Sequence, residues 1–139
     1  MCNFASFVLT KDRVFYSKSG NSHSEIISEN GLNEWGARGP NIIKVEITPT
    51  DKIRKWPSLK AWNFLIDQDQ LPDWHIPAIT EKRARAALLR KYREGFQTVY
   101  ASGCTALTEL KADKATYVNA SGCNPKLVIK AKKGATIIR

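Results

Sequence analysis

The sequence predicts an α+β fold. A small mixed domain with a hairpin and a basic amphipathic helix spans residues 1–97, and a short two-rung β-solenoid spans 98–139. Three observations carry that prediction. The first part holds short β-branched and aromatic runs punctuated by turn residues. A single long stretch with helical apolar spacing follows them. The last part then repeats itself: Val99-Tyr-Ala-Ser-Gly-Cys104 recurs as Val118-Asn-Ala-Ser-Gly-Cys123 at an offset of 19.

Taken in order, Asn3 to Thr10 reads as a strand, Lys11-Asp12-Arg13 as a polar break, and Val14-Phe15-Tyr16 as the returning arm of a hairpin. Ser17 to Ser22 is a polar loop, and Ser22-His23-Ser24-Glu25 fits a capping box opening a short helix that Gly31 ends. Asn41 to Thr48 alternates as a half-buried strand stopped by Pro49, and Trp62 to Ile66 is its expected partner. A Pro-interrupted loop holding Trp74, His75 and Pro77 leads to a helix over Thr80 to Glu94, capped by Thr80 and ended by Gly95. Its buried stripe is expected at Ala84, Leu88, Tyr92 and Phe96, with Lys82, Arg83, Arg85, Arg90, Lys91 and Arg93 around the rest.

In the repeat, Leu110-Lys-Ala-Asp-Lys recurs as Ile129-Lys-Ala-Lys-Lys at 19, and Ala115-Thr-Tyr-Val118 recurs as Ala135-Thr-Ile-Ile138 at 20. One inserted residue near Gly134 accounts for the difference. A period of 19–20 with apolar positions two apart describes solenoid rungs, each burying its apolar side against a neighbour. Cys104 and Cys123 occupy equivalent places, as stacked small residues inside the coil. Two rungs expose an end, so the expectation is a homo-oligomer joined through this segment.

Composition narrows the function classes. The 139 residues suit one ordinary domain, and 42% hydrophobic with 25% charged residues excludes disordered and fibrous classes. No apolar run approaches the roughly 18 residues of a membrane span, and no signal peptide is evident, so a cytoplasmic protein is expected. Three cysteines fit a reducing compartment better than a disulfide scaffold. Twenty-two Lys+Arg against 13 Asp+Glu leave +9, which calls for an anionic partner.

Four constellations could carry chemistry. Cys2 and His23 come together if the hairpin register continues, pairing a thiol with an imidazole at a helix N-terminus; the alternative is a small strand residue and a solvent-facing histidine. Lys18, Ser22 and Ser24 surround a helix N-terminus that could hold phosphate, or they form a plain capped loop. Arg83 and Arg90 stand for a basic helix that could line a phosphate groove, or for a solvated face whose stems cover the core. Trp74, like Trp35, Trp56 and Trp62, lies near basic residues and could stack on a nucleobase or serve the core. No metal site and no cofactor are expected, since no C-x-x-C pair occurs and both histidines stand alone.

Several segments together resemble a largely uncharacterised family of small phage and prophage proteins. They are Met1-Cys2-Asn3-Phe4, Ser22-His23-Ser24-Glu25-Ile26-Ile27, Val45-Glu46-Ile47-Thr48-Pro49, Leu71-Pro72-Asp73-Trp74 and the Ala101 to Leu110 repeat unit. The resemblance implies an N-terminal domain followed by short solenoid repeats, expressed in a bacterial cytoplasm as an accessory phage product. Small accessory products of this kind often counter host defence, and the first function class is therefore a counter-defence protein that binds a nucleotide immune signal, with or without cleaving it. The other classes are a protein-binding inhibitor of a host defence complex and a nucleic-acid-binding module. Whether any bond is broken is left open.

Overall fold

The five apolar-rich residues Ala5–Leu9 form strand β1, which is buried along its whole length. The computed structural model, which describes residues 5–17, 22–50, 52–58, 60 and 62–139, shows why. β1 lies between two antiparallel neighbours in a four-stranded sheet, and a helix covers each face. Strand β2 (Val14–Phe15) makes the hairpin, but only Val8–Phe15 and Leu9–Val14 pair. The predicted facing register therefore does not run on to Ser22 and His23. The turn is closed by the Thr10 N–H donating to the Arg13 carbonyl at 2.8 Å, and by the Arg13 N–H donating to the Thr10 hydroxyl at 3.1 Å.

Helix α1 (His23–Asn30) starts after Ser22 as predicted, but the serine hydroxyl makes no capping hydrogen bond, so the capping box is not formed. Gly31 ends the helix at φ 59°, a left-handed conformation that glycine adopts without a Cβ penalty. A two-stranded ribbon, β3 (Trp35–Gly36) with β4 (Gly39–Pro40), was not legible in the sequence. Strand β5 (Ile43–Pro49) alternates buried and half-buried residues, and β6 (Lys55–Trp56) and β7 (Trp62–Ile66) follow. The sheet order is β2-β1-β5-β7, antiparallel throughout.

Helix α2 (Pro77–Glu94) begins one turn before Thr80, with Ile76 as its N-cap. Pro77, in the loop by sequence, opens the helix instead, since its fixed φ and missing N–H suit the first helical position. Thr80 is consequently buried inside the helix, where its hydroxyl lies 2.7 Å from His75 Nδ1. The buried face is Thr80, Ala84, Ala87, Leu88 and Lys91, while Tyr92 is 46% exposed. The expected i, i+4 row fails because each such step overshoots a full turn by about 40°, which carries Tyr92 off the face and brings Lys91 on. Phe96 is buried, though beyond the helix end.

α1 packs through Ile26 on Val8 and Ile42, and α2 packs through Ala84 and Leu88 in the cluster that holds Phe7, Leu9 and Val45. Alternate residues of β1 thus serve opposite helices.

The C-terminal strands are β8 (Thr98–Tyr100), β9 (Glu109–Ala112), β10 (Tyr117–Asn119), β11 (Val128–Ala131) and β12 (Thr136–Ile138). They form two parallel three-stranded sheets, β8-β10-β12 and β6-β9-β11. The repeat pairs stand 19 apart everywhere, Thr98–Tyr117–Thr136 on one side and Glu109–Val128 on the other. The inserted residue expected near Gly134 is absent. Instead the tight turn slides by one, Ala115 N–H bonding the Ala112 carbonyl in the first copy and Ala135 N–H the Lys132 carbonyl in the second. β6 comes from the N-terminal section, and Trp56 pairs with Leu110. One buried cluster contains Phe7, Trp56, Leu88, Leu110 and Val118 together.

Candidate functional site

The hairpin turn and α2 enclose a groove of about 540 Å³ between Asp12, Arg13 and Val14 on one side and Arg83, Ala86, Leu89, Arg90 and Arg93 on the other. The helix supplies positions 83, 86, 90 and 93, spaced i, i+3, i+7 and i+10, which keeps three guanidinium groups along one stripe. Four guanidiniums face one carboxylate, Asp12.

Their roles differ. Arg83 is a clamp: Nη2 donates to the Thr10 carbonyl at 2.7 Å and to the Arg13 carbonyl at 3.1 Å, which fixes the turn against α2. Burial lowers its pKa from the ordinary guanidinium value, and the nearby Asp12 opposes that shift. Its Cζ stands 5.8 Å from the Trp74 ring, a cation–π contact. Trp74 therefore supports Arg83 from behind and does not line the groove. Arg13 lies with its Cζ 5.0 Å above the Phe15 ring. Arg90 and Arg93 make no hydrogen bond, ion pair or ring contact among the described residues. Guanidiniums crowded in this way repel one another unless an anion joins them, and their planar donor forks match phosphate oxygens.

The other candidates lie elsewhere. His23 sits on the α1 side of the sheet: Nε2 donates to the Val45 carbonyl at 2.8 Å, and Nδ1 stands 3.5 Å from Asp67 Oδ2. Nε2 thus ties α1 to β5, and Nδ1 faces Asp67, just past the end of β7. Ser22 and Ser24 are exposed at the same helix end, separated from the arginine groove by the sheet. Cys2 and Lys18 lie outside the described residues. Cys104 is buried and disulfide-bonded, which departs from its reading as a simple small thiol in a reducing compartment. Cys123 is a free thiol, its sulfur donating to the Ala101 carbonyl at 3.0 Å. Among the described residues no three His, Cys, Asp or Glu side chains gather as a metal site, and no helix is long and apolar enough to cross a membrane.

Arg13, which the sequence offers only as part of a polar break, reaches the groove through the hairpin turn, whereas Arg93 belongs to the predicted basic helix. On the buried side of α2, Ala84 and Leu88 lie in the core as expected, but Lys91, expected on the basic face, lies there too. Lys91 is 3% exposed and its amine is pulled down to about 8 by desolvation. Nearby, Tyr16 donates to Glu94 Oε2 at 2.6 Å, and burial together with that bond pushes the phenol up to about 12.

Comparison with protein-family models, with curated proteins and with solved structures finds no match to this chain.

Proposed function

We propose that the protein binds a phosphate-bearing ligand in the groove between the hairpin turn and α2. The observation that carries this reading is the convergence of Arg13, Arg90 and Arg93 with the clamped Arg83 on one groove, with Asp12 as its only carboxylate among the described residues. The +9 charge adds long-range attraction for such a ligand. The more specific reading is a nucleotide immune signal bound by a phage counter-defence protein in the host cytoplasm. It rests on the resemblance of the Met1–Phe4, Ser22–Ile27 and Leu71–Trp74 segments, and on taking the two parallel strand stacks as solenoid rungs. The groove alone asks for binding; cleavage would need a nucleophile that its lining does not include.

The test is a titration of a fluorescent dinucleotide, with pyrophosphate and a 20-nucleotide strand as competitors, against wild type and the Arg90→Glu/Arg93→Glu double variant. We expect the variant to bind at least about tenfold more weakly, since two charge-assisted contacts become repulsions. Equal binding by both proteins rejects the groove. Affinity that grows with strand length and falls steeply with salt moves the assignment to a nucleic-acid module. Retention of a host protein with no nucleotide moves it to a protein-binding inhibitor.

Self-association through the stacked strands belongs to the same reading, because Val128, Ile137 and Ile138 leave apolar surface exposed on the last pair. Light scattering at micromolar concentration is expected to exceed the 15.6 kDa of one chain; a monomer overturns that part.

A further inference from the structure

We propose that a second pocket, beside the β3–β4 ribbon, binds a small organic cation between the face of Trp35 and the carboxylate of Asp69. The pocket encloses about 260 Å³ and lies over Ile42, on the α1 side of the sheet and away from the arginine groove.

The four tryptophans single it out. Trp56 is fully buried, and Trp62 and Trp74 already carry the guanidiniums of Arg85 at 5.6 Å and Arg83 at 5.8 Å. Trp35 is 64% exposed, and among the described residues no cation of this chain stands over its ring. An indole face is the best cation–π platform among the side chains, and this one borders a cavity.

Charge selects the same class of ligand. In a chain of +9, residues 66–75 hold Asp67, Asp69 and Asp73 with no lysine or arginine. Among the described residues the one cation lining the pocket, Lys44, is spent on Glu34 at 2.8 Å. Asp69 makes no hydrogen bond or ion pair among the described residues, so the pocket offers an uncompensated carboxylate and disfavours phosphate.

The walls are held in place. Gln68 accepts from the Lys44 N–H at 2.7 Å and donates to the carbonyls of Ile42 at 2.9 Å and Gln70 at 2.8 Å. The Asn41 N–H donates to the Glu34 carbonyl at 2.8 Å and anchors the ribbon. Pro40 and Ile42 provide apolar surface for an alkyl stem, which fits a guanidinium or ammonium group on a short chain.

Calorimetric titration of the full chain with agmatine tests this, with N-butylurea as a neutral control. Wild type is expected to bind agmatine in preference to the urea. Trp35→Ala should weaken binding about tenfold, Trp35→Phe should recover part of the loss, and Asp69→Asn should weaken it about fivefold. The Arg90→Glu/Arg93→Glu variant should bind agmatine as wild type does, so failure of the phosphate groove and failure of this pocket are told apart. Both substituted positions are exposed, and an unchanged thermal melt verifies the fold. Equal affinity for the urea, agmatine affinity unchanged in Trp35→Ala, or no binding at millimolar concentration overturns the proposal.

Discussion

Trp56→Ala is expected to cost about 3–5 kcal/mol and to lower the denaturant midpoint of the entire chain in a single transition. Trp56 is fully buried, packs edge-on to Phe96 with ring centroids 6.3 Å apart, and its backbone pairs with Leu110 in the repeat segment. Removing the indole leaves a cavity shared by the antiparallel sheet, α2 and the parallel stacks, because all three contribute to one buried cluster. Far-UV circular dichroism and tryptophan fluorescence followed through the same urea titration should report coincident curves. Two separated transitions, or a loss under about 1 kcal/mol, would show that residues 98–139 fold on a core of their own.

The second large effect concerns Lys91. Burial holds its amine near 8 against an ordinary 10.5. Below pH 8 the folded and unfolded chains both carry the proton, and the folded state bears the full cost of desolvating it. Between pH 8 and 10.5 the unfolded chain binds more protons, so stability rises with pH. Lys91→Met removes that cost while keeping the stem volume, but gives up the amine's contact with the Phe96 ring at 5.5 Å, and is expected to stabilise the protein at pH 7 by less than about 3 kcal/mol. The advantage of the variant should shrink as pH climbs from 8 to 10.5. A difference that stays constant across that window would mean that the amine does not titrate there. Tyr16 acts in the opposite sense: its phenol, pushed up to about 12, keeps its proton in the folded state after the unfolded chain has lost it. This group's contribution to stability therefore falls from pH 10 to 12.

The candidate groove was legible in half of its members. Arg83 and Arg90 stand out in any reading of a basic helix, but the sequence could not say that Arg83 is occupied by two carbonyls, nor that a turn seventy residues earlier delivers Arg13. The Cys2–His23 pairing depended on extrapolating a hairpin register. The hairpin pairs only Val8–Phe15 and Leu9–Val14, and His23 turns its ring toward the Val45 carbonyl. How far a hairpin ladder extends depends on where the returning chain leaves the sheet, and local patterning does not report that.

What the sequence by itself determined is the local vocabulary and its period. The strands at Ala5–Leu9, Ile43–Pro49 and Trp62–Ile66, the Gly31 and Gly95 helix ends and the 19-residue spacing all follow from side-chain alternation, turn chemistry and repetition, which act within a few residues. Only the tertiary structure decided what each element faces. It inserted β6 as a third strand on the repeat stack, set α1 and α2 on opposite faces of one sheet, turned Lys91 into the core and left Trp35 outside it. The physical reason is that burial is settled by partners distant in the chain, and a pattern that says a face must be covered does not say by what.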